Sequence, residues 1–208
     1  MSREIYAVGA FYALVGANVL WPHPVFPPLV GAAALAFLYC QARILFASKG
    51  IPAWRAPLMP KMIVASGLFE GLGALAALLG SAASPVSPAI TAVALIGLAF
   101  LNAGLWHAYR TGADGNGVPP LARDELAAAT PWLHGIGHAV PAALGATALF
   151  SSAGPASALL AFAGLAAGIG GALWKFIVIT RASYFQGLAL PKLPRRGSGA
   201  RAATAGKG

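Results

Sequence analysis

The stretch AITAVALIGLAFLNAGLWHAYR, residues Ala89–Arg110, decides the fold class of this chain. Its only Asp, Glu, Lys or Arg is Arg110, which stands at the very end. A helix needs about 20 predominantly apolar residues to cross a hydrocarbon core of about 30 Å. The stretch therefore predicts a transmembrane helix.

Similar stretches occupy most of the remaining sequence. They run roughly over Leu29–Ser48, Lys61–Ala82, Thr130–Ser151 and Ser157–Thr180, with a shorter one at Ile5–Trp21. The shorter stretch could also be a signal peptide, but no small-x-small cleavage motif precedes His23. The pattern predicts an all-α integral membrane bundle of about six transmembrane helices over residues 1–190, followed by a basic flexible tail over 191–208.

The composition supports a membrane protein over a soluble one. Hydrophobic residues make up 58% of the chain and charged residues 9%, whereas about a quarter of a soluble domain is charged. The single cysteine, Cys40, excludes a disulfide within the chain and an iron–sulfur cluster held by its thiolates alone.

Proline and glycine mark the predicted loops between the spans. The fourth of these loops is expected over residues 111–129, which contain several glycines together with Pro119 and Pro120. Pro141 falls inside the fifth predicted span, where we expect it to kink the helix.

The basic residues predict an orientation. All 14 Lys and Arg residues fall in alternate connecting segments or at their edges, so they lie on one side of the predicted bundle. The positive-inside rule makes that side cytoplasmic, with both chain termini on it. The net charge of +9 thus reflects the orientation of the protein in the membrane. We therefore expect no nucleic-acid partner. The basic tail is expected to touch anionic lipid.

Glu70 is the acidic residue predicted deepest in the membrane. It lies between Gly67 and Gly71, small residues that let another helix approach closely. Ionisable residues inside spans are costly and therefore functional candidates. Because burial disfavours the charged form, we expect this carboxyl to be protonated or paired. Glu70 is either a proton carrier or a hydrogen-bonded packing carboxyl. Lys175 and Arg43, near the ends of their spans, are expected to extend towards the membrane surface.

Three histidines are predicted in the cytoplasmic half of the bundle. His134 and His138 are four residues apart and so share a face of one helix, while His107 belongs to another. They could ligate b-type haem, hydrogen-bond or protonate a quinone, or join helices. A polar lining in one half of an apolar bundle would suit a quinone, whose tail lies in lipid while its carbonyls meet donors.

Several strings resemble a known family. They are Tyr39-Cys-Gln-Ala-Arg43, Lys49-Gly-Ile-Pro-Ala-Trp-Arg55, Glu70-Gly71, and Lys175-Phe-Ile-Val-Ile-Thr-Arg-Ala-Ser-Tyr-Phe-Gln-Gly187 with Leu190-Pro191 and Leu193-Pro-Arg-Arg-Gly197. The chain resembles membrane anchor subunits of the DMSO reductase type, within the NrfD-like group, and most of all those of phenylacetyl-CoA:acceptor oxidoreductases. Longer members have two further helices before the element that resembles Met1-Ser-Arg-Glu4, so we expect this chain to lack them.

The resemblance implies a function and partners. Such anchors bind ubiquinone or menaquinone, carry no haem, and pass electrons between the quinone pool and a four-cluster ferredoxin-like subunit of a molybdopterin enzyme. The resemblance also implies that the protein is located in a bacterial cytoplasmic membrane. The quinone and proton residues would be Glu4, Glu70, His107, His134 and His138. The docking face and pocket mouth would comprise Arg43, Trp54, Arg55, Lys175 and Arg181. The alternatives are a haem b electron-transfer anchor and a small proton-coupled transporter with Glu70 as its proton site.

Overall fold

The computed structural model describes residues 2–48, 50–79 and 87–184, and every regular element in these ranges is helical. The predicted tail over 191–208, Lys49 and the connection over 80–86 lie outside the described residues. The α-helices are α1 (Ser2–Leu20), α2 (Phe26–Ala47), α3 (Met59–Leu79), α4 (Pro88–Thr111), α5 (Pro120–Trp132), α6 (Val140–Leu149), α7 (Ala153–Phe176) and α8 (Ala182–Tyr184). Pro52–Arg55 forms a 3-10 turn, while Leu133–Ala139 and Ile177–Arg181 are π-helical.

Within the described ranges, four helices are long and apolar enough to cross a membrane, namely Phe26–Ala47, Met59–Leu78, Pro88–Thr111 and Ala153–Arg181. The predicted all-α membrane bundle is thereby confirmed. The spans predicted at Ile5–Trp21 and Thr130–Ser151 correspond to α1 and to the continuous rod formed by α5, the first π segment and α6. That these two also cross the membrane stays a prediction.

A four-helix core supports the rest of the bundle. α3 packs against α4 and α7, and the α5–α6 rod packs against α4 and α7 in turn. α2 lies against the outer side of α3, and α1 lies against α2. The chain buries few side chains of α1 and α2, so most of their apolar surface faces outward from the core.

The predicted loop over residues 111–129 is wrong in its second half, because α5 begins at Pro120. Proline is well accepted in the first turn of a helix, where its missing N–H has no partner to lose. The next residues include Arg123, Asp124 and Glu125, whose polarity hides this helix from a search for apolar runs. The same tolerance explains why α2 starts at Phe26 and includes Pro27 and Pro28, ahead of the span predicted from Leu29.

A widened turn precedes Pro141, where the sequence predicts a kink. The rod is π-helical over Leu133–Ala139, and the Val140 N–H donates to the carbonyl of Gly135, five residues back. Proline supplies no N–H to a preceding carbonyl, and a local π adjustment is one way in which a membrane helix absorbs that loss.

Glycines allow neighbouring segments to approach α7 closely. Gly164 faces Gly73 of α3, and Gly170 faces Gly137 of the π segment. At both contacts an added methyl group would overlap the opposite backbone. Backbones thus meet directly, as small residues allow in membrane helices.

Hydrogen bonds connect the helix ends at one end of the bundle. The Tyr109 hydroxyl donates to the Ala53 carbonyl at 3.0 Å, and the Trp54 indole donates to the Val178 carbonyl at 2.9 Å. We call this the basic end because the described basic residues lie there or in the helix turns next to it: Arg3, Arg43, Arg55, Lys61, Arg110, Arg123, Lys175 and Arg181.

Candidate functional site

The first π segment carries two of the three histidines predicted to lie in the membrane. The rings of His134 and His138 lie with their centroids 5.6 Å apart and their planes inclined at 54°. Single π turns inside α-helices are uncommon and are found frequently at functional sites. The predicted pairing of these two histidines on one face is therefore observed.

Both histidines border a groove between α4 and the α5–α6 rod. The groove has a volume of about 360 Å³. Apart from the imidazoles, its lining is apolar and mostly alanine: Ala99, Phe100, Ala103, Ala139 and Ala142. Phe100 is 69% uncovered by the chain, so the groove borders the outer, lipid-facing surface of the bundle. We call this the histidine groove.

A second, much smaller cavity lies inside the bundle. It measures about 10 Å³. Side chains from α3, α4, the first π segment and α7 line it: Met62, Asn102, Trp106, Leu133, His138 and Trp174. His138 belongs to both linings and so separates the histidine groove from this inner cavity.

Glu70 and Lys175 form an ion pair between α3 and α7. The ammonium nitrogen lies 2.7 Å from Oε1 and 2.6 Å from Oε2 of the carboxylate. The expectation that Lys175 extends towards the membrane surface is therefore wrong. Side chains on a helix lean towards its N-terminus, which for Lys175 near the end of α7 means towards the middle of the span, where the carboxylate lies.

Small residues make room for this pair. A methyl group at Gly171 would overlap the Glu70 side chain, so the glycine leaves the space that the carboxylate fills. Gly67 faces Leu38 of α2, which agrees with its predicted contact role, but Gly71 has open space beside it. The Gly67–Gly71 pair therefore does not form one helix contact within the described residues.

The ion pair and the histidines lie at similar depths on different sides of α7. Gly171 faces Glu70, while its neighbour Gly170 faces Gly137, the residue before His138. The contacts of α7 with Glu70 and with the histidine-bearing π segment therefore lie at adjacent residues.

His107 and Glu4 occupy more peripheral positions. His107 is exposed on α4 and is absent from the lining of the histidine groove. Glu4 lies in the first turn of α1, which packs on α2. The structure therefore groups His134 with His138, and Glu70 with Lys175, but does not bring Glu4 to either group.

Of the five residues predicted at the docking face, Lys175 pairs with Glu70, and the other four divide into two kinds. Arg43, Arg55 and Arg181 are exposed near the basic end. Arg43 lies over the Phe46 ring at 5.6 Å, and Arg181 over the Phe176 ring at 6.0 Å. Trp54, in contrast, donates a hydrogen bond to the Val178 carbonyl and so holds the 3-10 turn against the second π segment, Ile177–Arg181.

Sequence reasoning missed the groove walls and the role of Asn102. The amide of Asn102 donates to the carbonyls of Ala65 at 3.3 Å and Leu98 at 2.8 Å, which joins α4 to α3. The spacing of Ala99 and Ala103, one helical turn apart and next to the histidine segment in space, is the feature that could have indicated a recess.

Comparison with known protein families, with characterised proteins and with solved structures finds no match to this chain.

Proposed function

We propose that the chain is a quinone-reactive membrane anchor that passes electrons between an iron–sulfur subunit and the quinone pool. The observation that carries the proposal is the histidine groove, an apolar recess at the lipid-facing surface with two imidazoles in its wall. The sequence resemblance to anchor subunits of the DMSO reductase type supports the same function.

A quinone matches the chemistry of this recess. Ligand pockets of about 300–1,000 Å³ are usually apolar with a few polar groups that orient the ligand. Alanine and Phe100 can contact the ring and the first part of an apolar tail, which leaves through the lipid side. His134 and His138 can hydrogen-bond to the quinone carbonyls. Imidazole is also a proton carrier near neutral pH, and quinone reduction consumes protons with electrons.

The resemblance supplies the remaining parts of the proposal. The partners would be a four-cluster ferredoxin-like subunit and a molybdopterin subunit, and the chain would lie in a bacterial cytoplasmic membrane. Docking is proposed at the basic end, where the exposed guanidinium groups of Arg43, Arg55 and Arg181 would meet acidic groups of a partner. Proton transfer by Glu70, and by Glu4, stays a prediction.

Binding to the purified chain in lipid nanodiscs tests the proposal. Short-tailed ubiquinone and menaquinone analogues should quench tryptophan fluorescence in a saturable manner. Ala103→Phe, which fills the groove, and His138→Phe should weaken binding at least about tenfold, equivalent to about 1.4 kcal/mol. Val93→Phe is the matched control, because Val93 lies on α4 with 60% of its surface uncovered and outside the groove lining.

Two outcomes would overturn the proposal. Equal affinities for the unmodified chain and both groove variants would place any quinone elsewhere. A reduced-minus-oxidised spectrum with a b-type α-band that is lost in His138→Ala would instead identify a haem anchor.

A further inference from the structure

Two buried ring nitrogens of the core have no hydrogen-bond partner within the described residues. They are Nε1 of Trp174 and Nδ1 of His138. Trp174 is only 8% exposed, so its indole N–H has no access to bulk solvent. A buried donor without a partner carries a free-energy penalty, and native structures rarely leave one unsatisfied.

Other tryptophans of the bundle show how such a donor is normally satisfied here. The Trp106 indole donates to Oγ1 of Thr130 at 3.2 Å, and the Trp54 indole donates to the carbonyl of Val178 at 2.9 Å. Trp174 is the exception among these three side chains. Its missing partner must therefore come from outside the described protein atoms.

Both unsatisfied nitrogens belong to side chains that line the inner cavity. Its volume of about 10 Å³ corresponds to about one water molecule. Asn102 also lines the cavity, and because its Nδ2 already donates to Leu98 and Ala65, its Oδ1 is the atom left to accept. Buried waters generally make about three hydrogen bonds to such groups.

We propose that the inner cavity is a binding site for one structural water, held by Trp174, His138 and Asn102. The water accepts a hydrogen bond from Nε1–H of Trp174 and donates to Oδ1 of Asn102 and Nδ1 of His138. These three bonds use one lone pair and both hydrogens of the water. The site joins α4, the π segment and α7, and it does not depend on the proposed function.

A consequence follows for the neighbouring groove. If Nδ1 of His138 accepts from the water, the neutral ring carries its hydrogen on Nε2. His138, which also lines the histidine groove, then has its N–H donor on Nε2. The water thus acts as a positioning group that sets both the orientation and the tautomer of His138. The step from this tautomer to a quinone carbonyl rests on the proposed function.

Nuclear magnetic resonance of the full chain in nanodiscs, with ¹⁵N-labelled tryptophan and histidine, tests the water site directly. The Trp174 indole signal is assigned by its loss in Trp174→Phe. We expect a cross-relaxation peak between this indole proton and a long-lived water. We also expect the ¹⁵N shifts of His138 to show a hydrogen on Nε2 and none on Nδ1.

Matched variants distinguish the bound water from general hydration. His138→Phe should abolish the water peak of Trp174, whereas His134→Phe should retain it, since His134 lines the groove and not the cavity. A folded, unmodified chain without the water peak, or with the hydrogen of His138 on Nδ1, overturns the proposal. If His138→Phe does not fold, a structure of the unmodified chain at a resolution that shows ordered water decides the question by the presence or absence of density in the cavity. Quinone affinity is measured separately, so either proposal can fail alone.

Discussion

Lys175 Nζ lies 2.7 Å from Oε1 and 2.6 Å from Oε2 of Glu70, so both carboxylate oxygens share one ammonium group. The two residues belong to α7 and α3, which also meet at the Gly73–Gly164 contact. Side chains of opposite charge inside membrane bundles commonly pair in this way, because lipid offers neither charge a partner. The pair therefore holds α3 and α7 together at a defined depth.

We expect single substitutions of this pair to destabilise the bundle. Glu70→Gln leaves the ammonium of Lys175 without a counterion, and Lys175→Met leaves the carboxylate alone. Breaking a buried pair costs about 3–5 kcal/mol, but Glu70 and Lys175 are 26% and 36% exposed. A loss of at least about 1 kcal/mol is expected, which would lower the melting temperature by about 2–4 °C. Thermal unfolding in detergent measures it.

The double variant and a second ion pair provide controls. Glu70→Gln combined with Lys175→Met removes both charges and should recover most of the lost stability. Asp114 and Arg123 form an ion pair near the basic end, with Arg123 36% and Asp114 79% exposed, so Asp114→Asn should change stability little. Single variants as stable as the unmodified chain would show that the pair contributes nothing to folding.

Gly171 should be far less tolerant of alanine than a neighbouring glycine of the same helix. A methyl group at position 171 overlaps the Glu70 side chain, whereas position 168 has open space. Gly168→Ala should be neutral or stabilise by up to about 1 kcal/mol, since alanine favours helix. Gly171→Ala should destabilise, because the ion pair must shift. Comparable melting temperatures for both variants would contradict the close contact.

Tyr109 should contribute a hydrogen bond that an exposed tyrosine does not. Its hydroxyl donates to the Ala53 carbonyl, and its side chain is 1% exposed. Tyr109→Phe should lower the free energy of unfolding by about 1 kcal/mol. Tyr12→Phe is the control, because Tyr12 is 67% exposed on α1. A denaturation comparison in which both variants match the unmodified chain would refute this role.

The alternating charge pattern predicts that both chain termini are cytoplasmic. A reporter that fluoresces only in the cytoplasm, fused after Gly208, should be active. An alkaline phosphatase fusion at the same position, active only on the far side, should be silent. The reverse pair of results would invert the bundle and move the proposed docking face to the other side of the membrane.

The amino-acid sequence predicted most of the helices and the end of the bundle at which the basic residues lie. Long apolar stretches such as Ala89–Arg110 predict helices because lipid requires every backbone polar group to be satisfied within the segment. The basic residues at alternate connections predict which helix ends lie together, and the structure places the described ones at one end of the bundle. The start of α5 was not predicted, because Arg123, Asp124 and Glu125 are helical without being apolar.

The sequence predicted the histidine pair of the candidate site but not the ion pair or the inner cavity. The spacing of His134 and His138 predicts a shared helix face, since that relation is local. By itself, the sequence therefore determined a helical membrane bundle, its basic end and the histidine pair. The tertiary structure alone decided that Lys175 reaches Glu70, that Gly171 leaves space for it, and that Trp174, Asn102 and His138 share a cavity. These relations depend on how α3, α4 and α7 pack, and the distances between helices are set by long-range contacts that no local pattern encodes.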